Sequence, residues 1–151
     1  MVAEKIVVEA PAHSVELRNI SFAFNSYKVE QTYLSFLDKL AQLMKDEDDI
    51  TLTISGFADA LGNKEYNKIL SGKRAEQVKS YLIKQGIAAN RIKTVAQGSS
   101  GFIAVNSNPD GSDNAEGRKF NRRVEITPEN LPAETIVVKQ QEIPEELKIS
   151  K

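Results

Sequence analysis

Apolar and polar residues alternate over residues 15–24 and lose step once. Val15 and Leu17 keep one phase, and Ile20, Phe22 and Phe24 keep the other. A two-residue period marks a half-buried strand, and a single slip predicts a bulge near Asn19. Asn25 and Ser26 end the run, both good turn and helix-cap residues. Residues 32–45 switch to a helical period: Tyr33, Leu37, Leu40, Ala41 and Met44 recur on one face, and Phe36 and Leu43 widen it. Ile50, Leu52 and Ile54 then alternate with Thr51, Thr53 and Ser55, a strand with one buried face. Residues 64–85 return to a helix, with Leu70, Ala75, Val78 and Leu82 inward, Tyr66 and Tyr81 at the flanks, and Gly86 as a left-handed cap. Gly72 costs this helix about 1 kcal/mol relative to Ala, a weak point that predicts a break near Ser71. Residues 91–97 and 122–127 read as strands. Between them residues 98–117, rich in Gly, Ser, Asn and Asp, read as a long surface loop.

The pattern predicts an α+β fold of order β-α-β-α-β-β, with two helices crossing one face of a small mixed sheet. It divides the chain into a lead-in at residues 1–14, with a short β-prone run at 6–8, a domain at 15–127, and an extended tail at 128–151. Pro128, Pro132 and Pro144 punctuate that charged tail. Its β-prone patch at 135–138 suits either an added edge strand or a contact with another protein. No internal repeat is visible.

At 151 residues the chain is one domain with a sizeable core. No apolar run approaches the roughly 20 residues that span a bilayer, so no transmembrane segment is expected. Met1 to Lys5 lack the apolar core of a signal peptide, which fits either a cytoplasmic protein or a chain that begins after an export signal. Without cysteine there is no disulfide, thiolate nucleophile or Cys-bound metal. The single histidine, His13, is expected in a solvated loop, and zinc would need more ligands than this. A net charge of −1 argues against nucleic-acid binding. The acidic run Asp46, Glu47, Asp48 and Asp49 lacks the glycine and spaced ligands of a calcium loop and reads as a solvated turn.

Chemistry concentrates in residues 56–75. The stretch opens where a strand runs out into Gly56 and closes inside a helix. Between lie an acid, Asp59, a turn glycine, Gly62, an amide, Asn67, and a cation, Arg74. Opposite charges at the mouth of a strand–loop–helix unit can hold a ligand that carries both. The residues alone equally allow a salt bridge tying loop to helix, and Asn67 could serve as a helix cap. Arg118, Arg122 and Arg123 read as a solvated strand end with at most one facing the mouth, since strand neighbours point to opposite sides. Hydrolysis is not expected. Glycoside cleavage wants two facing carboxylates, whereas the loop offers one, with Glu65 on the neighbouring helix start. No Ser or Thr has a base beside it.

Six pieces in order carry a family resemblance over about two-thirds of the chain. They are Gly56-Phe-Ala-Asp-Ala-Leu-Gly62, Tyr66-Asn-Lys-Ile-Leu-Ser-Gly-Lys-Arg-Ala75, Val78-Lys-Ser-Tyr-Leu82, Gly86-Ile87, Arg91-Ile92 and Gly117-Arg-Lys-Phe-Asn-Arg-Arg-Val-Glu125. Together they resemble the OmpA-like domain, a periplasmic peptidoglycan-binding module. The resemblance implies a noncovalent grip on diaminopimelate of the peptidoglycan stem peptide, whose free side-chain end carries one ammonium and one carboxylate. By motif, Asp59 would take the ammonium and Arg74 the carboxylate in a two-pronged bond. Asn67, Asn25 and Arg122 would add polar contacts, and Ala58 and Leu70 complete the implied ligand-binding set. The helix start after Gly62 would favour a carboxylate. No catalytic residue, cofactor or metal is implied. The module would anchor a larger outer-membrane-associated protein from the periplasm. The sequence departs from the pattern at Phe57, where the family has His, and at Ala58, where it has Thr. These departures favour the alternative, a protein-interaction module with weakened wall binding.

Overall fold

The computed structural model describes residues 14–133, 135–139 and 143–149; the run at 6–8 and His13 lie outside them. Strands β1 (Ser14–Leu17) and β2 (Ile20–Ser21) lead, through a 3-10 turn at Gln31–Tyr33, into helix α1 (Leu34–Asp46). Then come β3 (Thr51–Gly56), α2 (Lys64–Lys84), β4 (Ile92–Ala96), α3 (Ala115–Asn121), β5 (Arg123–Glu129) and β6 (Ile136–Lys139). Four strands form a mixed sheet in the order β2-β5-β3-β4, antiparallel except for β3 beside β4. The α+β architecture is the expected one, with both central strands in one sheet. Leu37, Leu40 and Met44 of α1 and Ala75, Val78 and Leu82 of α2 close a core over Ile20, Leu52, Ile54 and Val124. The stripes read along the chain are the buried faces. Tyr33 and Phe36 join them, and Tyr81 packs at the edge.

Four local expectations are corrected. The slip near Asn19 is a break, not a bulge: β1 leaves the main sheet and pairs in parallel with β6, while β2 pairs with β5. Helix α2 runs unbroken through Ser71 and Gly72. A Cβ on Gly72 would stand 3.3 Å from that of Ala96, so the glycine sits where the helix comes close to β4. The long loop at 98–117 gives way to α3, whose residues AEGRKFN carry no apolar stripe. What holds α3 is polar. Asn114 caps it by accepting from Gly117 N–H, and the buried Asn121 side chain accepts from Ile103 and Ala104 N–H and donates to the Ala104 carbonyl. The last main-sheet strand extends past Thr127 to Glu129. Beyond it the patch at 136–139 forms the added strand β6, and Leu147 is buried with its carbonyl accepting from Val105 N–H.

One contact sets the site's position. A Cβ on Gly56, the last residue of β3, would fall 1.9 Å from the Ser71 carbonyl oxygen. Only glycine lets α2 lie this close to the strand end. The approach brings Arg74, one turn on from Ser71, beside the loop that carries Asp59.

Candidate functional site

Asn25, Ala58, Asp59, Asn67, Leu70, Arg74 and Arg122 line one cleft of about 310 Å³. Chain positions separated by nearly a hundred residues thus meet, on the β2–α1 turn, the β3–α2 loop, α2 and the end of α3. Phe24, Leu61 and Tyr66 supply exposed apolar walls. Nothing in the sequence pattern assigns Phe24 or Leu61 to the site, and Tyr66 reads there only as a helix flank. Exposed large apolar groups around buried charges are the feature that marks them.

Asp59 is 4% exposed, and Arg74 has no exposed surface. They share the cleft but are not ion-paired, which corrects the salt-bridge alternative. Asp59 Oδ2 pairs with Arg122 Nη1 at 3.0 Å and Arg118 Nη1 at 3.2 Å, while Oδ1 accepts from Leu61 N–H at 2.9 Å. Arg74 instead donates to three backbone carbonyls: Nε to Ser26 at 2.8 Å, Nη1 to Phe57 at 2.9 Å and Nη2 to Ala23 at 3.3 Å. It stacks near the Phe22 ring at 5.4 Å. A guanidinium has five N–H donors, so two remain for a ligand. Burial, then the positive charge of Arg122, lowers the Arg74 pKa to about 10, and the side chain stays cationic at neutral pH.

The carbonyl contacts also shape the cleft. By holding Ala23 and Ser26, Arg74 fixes the turn that presents Phe24 and Asn25. Asn25 sits at φ 59°, a conformation asparagine tolerates better than most residues, and its Oδ1 accepts from the Tyr66 hydroxyl. Asn67 is not the helix cap: that role belongs to Asn63, which accepts from Glu65 and Tyr66 N–H. Asn67 is buried and spends its amide on the Leu61 carbonyl at 2.7 Å and Ser99 Oγ at 2.8 Å. It therefore braces the loop behind the cleft wall.

The three arginines of the 118–123 segment part company. Arg122 lines the cleft, its Nε donating to the Phe22 carbonyl at 2.9 Å. Arg118, one helical turn earlier, reaches the same Asp59 oxygen without lining the cleft; it is buried, not solvated as expected. Arg123 turns the other way, to Glu125 and the Gly101 carbonyl, with the Phe57 ring 3.8 Å beneath it. Phe57 accordingly packs inward and forms no part of the cleft. The i, i+4 spacing of Arg118 and Arg122 was a legible signal only had the segment been read as helix.

The model of the OmpA family matches residues 21–116. The chain is 39% identical to "Outer membrane protein A" of Bordetella avium, over 70% of this chain and 51% of that protein. It is 41% identical to "Peptidoglycan-binding protein ArfA" of Mycobacterium bovis, over 60% of this chain and 26% of that protein. Among solved structures it is similar to the peptidoglycan-associated lipoprotein from Burkholderia pseudomallei, with TM-score 0.66 and 28% identity over 74% of this chain and 90% of that one. The chain spans about half the length or less of these two curated relatives.

Proposed function

The chain belongs to the OmpA family, and on that premise we propose that it binds peptidoglycan noncovalently through the diaminopimelate of the stem peptide. Relatives named as peptidoglycan-binding or peptidoglycan-associated support the wall as the partner class. One observation carries the finer reading: a fully buried guanidinium, bonded to three backbone carbonyls, shares a cleft with a buried carboxylate. Arg74 retains two donors and, among the described residues, has no counter-ion within ion-pair distance, which suits a ligand carboxylate. Asp59 Oδ1, free of guanidinium, suits the ammonium on the same ligand carbon. The apolar walls suit its methylene chain. Among the lining residues Asp59 is the one carboxylate, so the cleft does not supply the facing pair that glycoside cleavage uses. Binding without hydrolysis is the role. The setting is the periplasm, with this domain tethering a larger envelope protein to the wall. Among the described residues no helix is long and apolar enough to cross a membrane.

Calorimetric or NMR titration of a diaminopimelate-containing stem peptide tests this, with purified wall sacculi as a second ligand. Wild type should bind, and Asp59→Ala and Arg74→Ala, each checked for folding, should lose most of that affinity. Equal binding by all three would make the pair structural. No binding by wild type would assign the fold to another partner, as a protein-interaction module.

A further inference from the structure

We propose that Asp113, which lies outside the cleft, sets the cleft's selectivity by taking up the charge of Arg118, which keeps the acid end around Asp59 from turning positive and repelling an ammonium group. This rests on the reading of the cleft given above. Asp59 is crossed by two guanidiniums on one oxygen. Two full cations on one carboxylate would turn the acid end of the cleft positive and repel an ammonium. Arg118 is not a full cation toward Asp59, because its fork is committed elsewhere. Its Nε and Nη2 donate to Asp113 Oδ1 and Oδ2, both at 2.7 Å, in the two-pronged geometry that makes such pairs strong. Only the longer 3.2 Å bond from Nη1 reaches Asp59.

Asp113 is held at that post by backbone pairing with Ser107. The same loop ties to the acid end directly, since Asn106 Oδ1 accepts from Ala60 N–H at 3.2 Å. The charges then sum simply. Asp59 and Arg122 balance, Arg118 and Asp113 balance, and Arg74 is left as the net cation. A ligand end with one carboxylate and one ammonium meets one surplus cation and one locally balanced acid. Without Asp113, that acid would be overbalanced.

The test compares two probes of equal length, diaminopimelate and pimelate, the same seven-carbon diacid without amino groups. Each is titrated into wild type, Asp113→Asn, Asp113→Glu and the double variant Asp113→Asn/Arg118→Gln, with folding checked by near-ultraviolet circular dichroism. Asp113 is more than half exposed, so its pair is screened and the effect is modest. In Asp113→Asn the preference for diaminopimelate over pimelate should fall about threefold, through loss of diaminopimelate affinity. Asp113→Glu should recover part of the preference. The double variant should recover it fully, because the cation that Asp113 restrains is gone. A preference unchanged in Asp113→Asn, or one the double variant fails to restore, would overturn the proposal. Parallel loss for both probes would likewise overturn it, by reducing Asp113 to a loop brace. Failure of wild type itself to bind diaminopimelate would instead sink the reading of the cleft.

Discussion

The two ends of the cleft bury opposite charges by different means. At the acid end, Asp59 is met by charge: two guanidiniums and one backbone N–H surround it. At the basic end, Arg74 is met by dipoles: three carbonyls hold it, with no carboxylate among the described residues within ion-pair distance. Carbonyls satisfy the hydrogen-bonding of a buried cation but leave its charge uncancelled. The difference teaches which end is waiting. The acid end is nearly neutral and tuned by its neighbours, whereas the basic end carries a standing charge that a ligand carboxylate would complete.

The sharpest break in that contrast is substitution at each end. Asp59→Ala and Arg74→Ala should each weaken stem-peptide binding by about 2–5 kcal/mol, roughly thirtyfold to several thousandfold. Stability should separate the two. Arg74→Ala strands three carbonyls at the base of the cleft and should cost about 3 kcal/mol or more, at about 1–3 kcal/mol for a buried group left unmet. Arg74→Lys should keep more stability but still bind weakly, because an ammonium cannot make a planar two-pronged contact. Paired denaturation and titration would show this; equal stability losses at the two sites would erase the distinction drawn here.

Removing residues 132–151 asks whether the acid end leans on the tail. With no helical stripe and little apolar mass, the tail's sequence predicts a core indifferent to this deletion. With β6 paired to β1 and Leu147 buried, the expected cost is instead about 2 kcal/mol, close to that of one buried leucine. Leu147 also accepts from Val105, next to the Asn106 that holds Ala60. Urea denaturation measures the first effect. Titration measures the second, expected as a small loss of diaminopimelate affinity with pimelate affinity unchanged. Equal loss for both ligands would mean that the tail supports the whole cleft.

Ala58→Thr adds a hydroxyl to the cleft wall, at a position that is itself in the cleft lining. One additional hydrogen bond, worth about 1 kcal/mol, should tighten stem-peptide binding about two- to fivefold. Unchanged or weaker binding in calorimetry would show that the wall has no room for it.

The smallest expected effect is on pH. The hydrogen bonds from Arg118 hold the Asp113 carboxyl below its ordinary value of 3.8. A depressed carboxylate stabilises the folded state above its unfolded pKa, and that contribution is lost as pH falls through the lower folded value. NMR titration of the Asp113 carboxyl carbon should therefore give a midpoint below 3.8, moved upward in Arg118→Gln. The basic end should be silent over this range, since Arg74 does not titrate in acid. A normal midpoint in wild type would remove the restraint on Arg118 that the acid end is argued to need.

The sequence by itself determined the elements whose burial is periodic. The stripe of Leu37, Leu40 and Met44, the alternation of Leu52 and Ile54, and the face of Val78 and Leu82 each follow from a local period that burial enforces. Motif resemblance, rather than period, singled out seven residues that the fold brings to one cleft. Helix α3 escaped because polar bonds from Asn114 and Asn121, not an apolar stripe, hold it. Gly72 misled because a residue weak in an isolated helix is favoured where that helix must approach β4. Only the tertiary structure decided which charges meet. Arg118 and Arg122 reach Asp59 across some sixty residues, and Arg74 reaches the carbonyls of a turn about fifty residues earlier. Ionic and carbonyl contacts at that range leave no periodic trace, because they depend on where the folded backbone sets each group in space. The same is true of β1 and β6, near opposite ends of the chain: each has the pattern of a strand, but only the packed fold makes them neighbours.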